Sequence, residues 1–392
     1  MVTYARQQAA AQRERVLEKQ IKRFAKGYQR RLRKLVKTSS RLGDLLYSFP
    51  AAAFAVVSGH GDYLKRGKAI RLVKNGAGLK EVAVVLELPY WTRRLPPEAF
   101  TGEIGCLPDG VKCNRKIVNL IPADPEAAAM WLSWLQAARI GCDDDFALWL
   151  AGQKKIYVSA SSGQMVRAPV LPLATFAWFS SHGNEPARRL MEDPWRRDMG
   201  IGTAIKSMAS WFDRVLIDLT RADVRRGPGR YSKRKGNGWY NFVPLVTARD
   251  FYEEGEAMNH CVATYATAVA QGHCKIFSVR RHGRRVATLE IRWSRDWPAK
   301  PVINQLLGHS NMPVSRDVYL AVGDWLARDR HGLRTSNGLD LGDSLDETRW
   351  RSLWASYIAE KGDQAVVPAR PDGKLIARFC RDVQVLNRWM YG

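Results

Sequence analysis

Two short runs separated by a compact cationic turn constrain this chain more than any other feature. Ile276 to Arg281 and Arg285 to Arg292 are rich in Val, Ile, Phe and Thr, the residues that fit a pleated, half-buried surface. A three-residue loop, His282-Gly283-Arg284, gives the register that best separates two faces. It sets Phe277 and Val279 opposite Leu289 and Ala287 on an apolar face. Ser278, Arg280, Thr288 and Glu290 then share a polar one. A one-residue slip would mix the two sets, so the pattern itself argues for the register. Val302 to Leu307 reads as a third strand and brings Asn304 or Gln305 towards the polar face.

Helical patterns flank this meander. Thr247 with Asp250 three residues on is an acidic capping box. Met258, Cys261, Val262, Tyr265 and Val269 then fall on one stripe, which predicts a helix running to Gly272. Gly255 is a weak point within it, since glycine costs about 1 kcal/mol in a helix interior. After the strands, Ser315 caps a helix over Arg316 to Arg328 with apolar Val318, Val322, Trp325 and Leu326. Helix, antiparallel meander and helix together give an α+β domain.

These residues carry a family resemblance. Glu254-Gly255, Met258, His260-Cys261-Val262 and Tyr265 resemble the opening of the PcfJ-like family. So do Gly272, Ser278-Val279-Arg280, Ala287-Thr288-Leu289-Glu290, Gln305, Gly308 and Asn311. The run from Leu88 to Pro97 is similar to proteins that carry this domain. The resemblance implies a bacterial protein of plasmid or mobile-element biology, and it supplies no reaction.

The chain has 392 residues, too long for one core, and a net charge of +24. Such a surplus favours polyanions, because each neutralised phosphate releases counterions. A solubility surface and an anionic membrane face are the alternatives. Six cysteines without a Cys-x-x-Cys spacing fit free thiols in a reducing cytoplasm. No apolar run reaches the roughly 20 residues a membrane span needs. The charged N-terminus is unlike a secretory signal.

Five segments follow from composition. Residues 1–40 carry twelve Lys or Arg against Glu14 and Glu18, and predict a basic helical arm from about Thr3 to Lys37. Arg30, Arg31, Arg33 and Lys34 are its candidate nucleic-acid contacts. Residues 41–220 predict a mainly helical N-terminal domain. Residues 221–239 read as a basic Gly/Pro-containing linker. Here Arg225, Arg226, Arg230, Lys233, Arg234 and Lys235, beside Tyr231 and Trp239, suit a single strand: cations on phosphates, rings on bases. Residues 240–332 form the α+β domain and 333–392 a helical tail.

The candidate catalytic residues are His260, Cys261, Tyr265, Glu290 and Gln305. Glu290 is the odd charge in an apolar strand, able to pair with Arg280, to act in acid/base work, or to serve a nuclease-like site. Cys261 as a nucleophile needs a base from elsewhere, such as His309. His260-Cys261 and His273-Cys274 cannot easily converge as four zinc ligands, because neighbours on a helix diverge by about 100°, though two of them could with partners from elsewhere. No metal and no cofactor is expected. The leading expectation is a cytoplasmic, nucleic-acid-associated accessory factor without catalysis. A nuclease- or hydrolase-like enzyme and a protein-interaction scaffold stand beside it.

Overall fold

The computed structural model describes residues 2–153, 170–219, 231–235, 238–265, 268–269, 272–293, 301–328 and 345–391. The chain divides into two units, Met1–Trp178 and Phe179–Gly392.

Helices α1 (Val2–Lys22), α2 (Lys26–Lys37), α3 (Ser40–Ser48) and α4 (Pro50–Ser58) open the first unit. The straight arm expected over Thr3 to Lys37 is instead two helices broken after Lys22. Phe24 causes the break by turning inward, where its ring lies parallel to Phe54 at 6.4 Å. Gln29 Nε2 donates to Phe24 O at 2.8 Å and Lys22 O at 3.3 Å, satisfying carbonyls freed at the end of α1. The second helix doubles back, and Arg33 pairs with Glu18 at 2.6 Å. Helices α5 (Tyr63–Asn75), α6 (Leu79–Val85), α7 (Val111–Ile117), α8 (Pro125–Gly141) and α9 (Asp144–Ala151) complete this bundle. Asp143 caps α9 through Phe146 N at 2.8 Å.

The chain passes into the second unit within α10 (Val170–Ser181). Helix α11 (Ile201–Leu219), expected to belong with the N-terminal helices, packs in the second unit. Its aromatic stripe is the reason. Trp211 meets Trp354 at 6.3 Å and Phe212 meets Phe379 at 5.9 Å. Those partners lie on the tail helices, introduced below.

The sheet has five antiparallel strands in sequence order. They are β1 (Tyr231–Lys235), β2 (Gly238–Pro244), β3 (Lys275–Arg281), β4 (Arg284–Trp293) and β5 (Pro301–Leu307). Helix α12 (Ala248–Met258) lies between β2 and β3. Helices α13 (Arg316–Arg328), α14 (Glu347–Lys361) and α15 (Gly373–Tyr391) follow. The linker expected over 221–239 therefore contains strand at both 231–235 and 238–239. An edge strand has no reason to alternate cleanly, and the cations of Ser-Lys-Arg-Lys hid it. Residues 221–230 lie outside the described residues.

The expected pairing of Phe277 with Leu289, Ser278 with Thr288 and Val279 with Ala287 is present. The turn differs. It has two residues, His282 at φ 50° and Gly283 at φ 81°, matching a primed hairpin turn. A bulge after Val279 absorbs the displaced residue, Val286. A second bulge sits between Glu290 and Ile291, where Asn304 is the extra residue on β5.

One face of the sheet is dry. Phe242, Phe277, Val279, Leu289 and Ile291 pack under Val318, Val322 and Trp325 of α13. Phe242 stacks on Trp325 at 4.4 Å and 10°, while Phe277 meets its edge at 4.9 Å. The other face lies under α12 and the turn that follows it. There Phe251, Val262, Cys274 and Ile276 form a smaller apolar cluster.

Candidate functional site

The geometry of the polar face depends on how α12 ends. Its capping box forms as expected, with Thr247 Oγ1 accepting from Asp250 N at 3.2 Å and Asp250 Oδ2 accepting from Thr247 N at 2.8 Å. The helix does not continue to Gly272. Asn259 adopts left-handed geometry at φ 49° and ψ 55°, and the helix stops. Asn259 N donates to Glu256 O at 3.4 Å and His260 N to Gly255 O at 3.2 Å, the paired bonds of a Schellman stop. Gly255 permits that closure, since a Cβ there would meet His260 O at 3.2 Å. Periodicity missed the stop because Val262 and Tyr265 still pack inward, from a separate 3-10 turn over Val262–Tyr265.

This corner carries His260 over the sheet. His260 Nε2 lies 2.8 Å from Thr288 Oγ1. Thr288 in turn donates to Glu254 Oε1 at 2.8 Å. Glu254 is fully buried, and its other oxygen accepts from Arg285 Nε at 2.9 Å. The result is a chain of imidazole, hydroxyl, carboxylate and guanidinium across α12 and β4.

His260, Cys261, Tyr265, Glu290 and Gln305, all five sequence candidates, line one small pocket of about 60 Å³. Thr288, Asn311 and the apolar Val262, Ile276 and Leu307 complete its wall. Clefts that engulf a whole small molecule run to about 300–1,000 Å³, so this one admits a single functional group. Tyr265 OH donates to Gln305 Oε1 at 3.0 Å. Burial, and then the nearby Glu290 carboxylate, push the Tyr265 phenol above its ordinary value, which keeps it a donor. The same two causes push the Cys274 thiol, beneath the pocket, up to about 12.

Glu290 is only 3% exposed and both its oxygens are engaged. Oε1 accepts from Arg292 Nε at 2.5 Å and Oε2 from Asn304 Nδ2 at 2.7 Å. The bulge at Asn304 makes this possible, since it lets Asn304 and Gln305 both serve the polar face. The pairing of Glu290 with Arg280 considered from sequence is replaced by Arg292, and Arg280 Nε donates to Ser278 Oγ at 3.2 Å. His309 lies outside the pocket wall, with Nδ1 3.0 Å from Ser310 Oγ. Among the described residues no group of three His, Cys, Asp or Glu side chains is placed to hold a metal ion.

Glu254 and Arg285 were not among the sequence candidates. A signal existed for the first. Phe251, Glu254 and Met258 are spaced three and four apart, which puts a carboxylate on the inward stripe of α12.

A second feature lies at one end of the sheet. Strand register sets Tyr240 beside Arg281 and Arg234 beside Trp239. The end of β1, the start of β2 and the turn joining β3 to β4 therefore lie at the same end of the sheet. Lys233, Arg234 and Lys235 lie on β1 and Arg280 and Arg281 on β3, the two strands that flank β2 at this end, with His282 in the β3–β4 turn and Arg284 opening β4. The guanidinium of Arg281 lies 5.7 Å from the Tyr240 ring, and its Nε has no hydrogen-bond partner among the described residues. Trp239 is 53% exposed at this end. The run Arg280-Arg281-His282-Gly283-Arg284-Arg285 was the missed sequence signal: five cationic or titratable side chains about one glycine.

On α2, Arg30, Arg31 and Lys34 are exposed, whereas Arg33 is half-buried by its pair with Glu18. Arg31 Nη1 donates to Val57 O at 3.1 Å. Arg225, Arg226 and Arg230 lie outside the described residues.

Residues 232–315 match the family model described as PcfJ-like protein. This segment is PcfJ-like. It covers about a fifth of the chain and includes nearly all of the sheet, α12, the pocket and the β3–β4 turn. Neither a curated protein nor a solved structure matches the chain. No helix among the described residues is long and apolar enough to cross a membrane.

Proposed function

We propose that the PcfJ-like segment binds a nucleic-acid strand at the cationic end of its sheet, as a cytoplasmic accessory factor in bacterial plasmid or mobile-element biology. The observation that carries this reading is the register that brings the cationic ends of β1 and β3 and the β3–β4 turn to one end of the sheet, with Trp239 exposed there. Cations gathered at that end match phosphates, and an exposed indole offers a stacking platform for a base. Exposed Arg30, Arg31 and Lys34 on α2 are a separate candidate surface on the first unit. The net charge of +24 supports electrostatic capture in general, and the cationic end of the sheet supplies a local geometry for it.

The test is affinity for labelled single- and double-stranded DNA and RNA across a salt series. The double substitution Arg281→Ala/Arg284→Ala is expected to weaken binding and to reduce the slope of log affinity against log salt by about 2. An unchanged slope would remove these arginines from the interface. Trp239→Ala is expected to cost about 1–3 kcal/mol on single strands and less on duplexes.

A second reading, a hydrolase-like enzyme, is favoured by one observation. His260, Tyr265, Glu290 and Gln305 line one pocket, on an otherwise buried sheet face.

A further inference from the structure

We infer that His260 is the general base of the pocket, that Thr288 and Glu254 hold it in one tautomer, and that the pocket takes a small neutral acyl group rather than a phosphate. This rests on the hydrolase-like reading of the pocket.

The tautomer follows from counting protons. Thr288 has one hydroxyl proton and donates it to Glu254 Oε1 at 2.8 Å. Glu254 also receives Arg285 Nε, so its carboxylate acts as acceptor at both oxygens. Thr288 Oγ1 can then only accept from His260, 2.8 Å away, and the imidazole proton sits on Nε2. Nδ1 is left with its lone pair as the proton acceptor. A carboxylate that orients a histidine base and stabilises its charged form is a recurrent catalytic arrangement. Here a hydroxyl stands between the two. Thr288 and Glu254 are thus positioning residues, and His260 is the group that meets the substrate.

Strain marks the same place. Asn259, Ser310 and Asn311 have φ of 49°, 53° and 60°. Asn259 directly precedes His260, Asn311 lines the pocket, and Asn259 Nδ2 donates to Ser310 Oγ at 2.9 Å. Left-handed backbone is disfavoured for residues other than glycine, and such residues gather at functional sites.

The ligand class follows from charge. Glu290 is matched by Arg292, and Glu254 by Arg285. Among the described residues the pocket wall carries no Lys or Arg to receive an anion, and a phosphate would face the Glu290 carboxylate. Val262, Ile276 and Leu307 add an apolar wall. Glu290, with both oxygens occupied, is not available as the base. In the inferred step a bound water gives a proton to His260 Nδ1 while its oxygen bonds to the acyl carbon. The imidazolium returns that proton to the leaving alcohol as the acyl–oxygen bond breaks.

Full-length protein labelled with ¹⁵N-histidine tests the tautomer. The His260 signal, assigned by its loss in His260→Gln, is expected to show a protonated Nε2 and a bare Nδ1. Thr288→Val is expected to mix the tautomers. A proton on Nδ1 in the wild type, or no change in Thr288→Val, overturns the relay. Turnover of p-nitrophenyl acetate and of bis-p-nitrophenyl phosphate tests the substrate. The acetate is expected to be hydrolysed, about 10²-fold slower in His260→Gln, and the phosphate diester left intact. Equal acetate rates in wild type and His260→Gln overturn the base assignment. Hydrolysis of the diester alone leaves the hydrolase reading standing and overturns the neutral-ligand inference. Turnover of neither ester overturns the hydrolase reading itself.

Discussion

The two faces of one sheet use alternate residues of the same strands in opposite ways. Under α13, Phe242, Phe277, Leu289 and Trp325 bury rings and methyls with no charged group among them. On the other face Ser278, Thr288 and Glu290 of the strands are buried with Glu254 of α12, and all but one of these side chains are polar partners of an arginine. The first face gains stability from area removed from water. The second gains little of that, because burying polar groups is costly unless each finds a partner. Such a face is held by specific partners rather than by area.

The contrast can be broken in several ways. Trp325→Ala should cost about 3–5 kcal/mol, the loss typical of a deeply buried ring, measured by denaturant unfolding of the second unit. A loss under about 1 kcal/mol would deny the dry face its role. Glu290→Ala should cost less, about 1–3 kcal/mol, by leaving Arg292 and Asn304 without their shared acceptor. Thr288→Val, which keeps volume, should cost about 1 kcal/mol yet alter the His260 tautomer, separating stability from positioning. Gly255→Ala should be a small effect of about 1 kcal/mol or less. Its added Cβ presses on His260 O at 3.2 Å, against the gain in helix propensity.

Thiol chemistry sharpens the picture without substitution. Cys261 is exposed at the pocket, while Cys274 is buried beneath it. Burial and Glu290 push the Cys274 thiol up to about 12, so at pH 8 it is protonated as well as shielded. Iodoacetamide should modify Cys261 in the native protein and spare Cys274 until unfolding, including when pH is raised from 7 to 9. Early modification of Cys274 would mean that this face opens.

Much of this was legible in the sequence. Alternation of Phe277, Val279, Ala287 and Leu289 was enough to pair β3 with β4, and the polar set on the reverse face foretold which side chains would meet. Helix α13 begins and ends at Arg316 and Arg328 as its apolar spacing predicts. The errors lie where one residue changes the local rule. Asn259 ends a helix whose apolar spacing continues beyond it. Val286 and Asn304 are single extra residues, invisible to a period of two. Strand β1 is an edge strand whose Ser-Lys-Arg-Lys run has no apolar alternation to betray it. Phe24 is one aromatic in a run of good helix formers, and nothing local says that it turns inward.

Asn259 also bears on how such a corner could arise or vanish. Asparagine and glycine tolerate left-handed backbone; a β-branched residue there would favour continuing the coil. The reach of the imidazole to Thr288 thus hangs on one residue that accepts left-handed backbone.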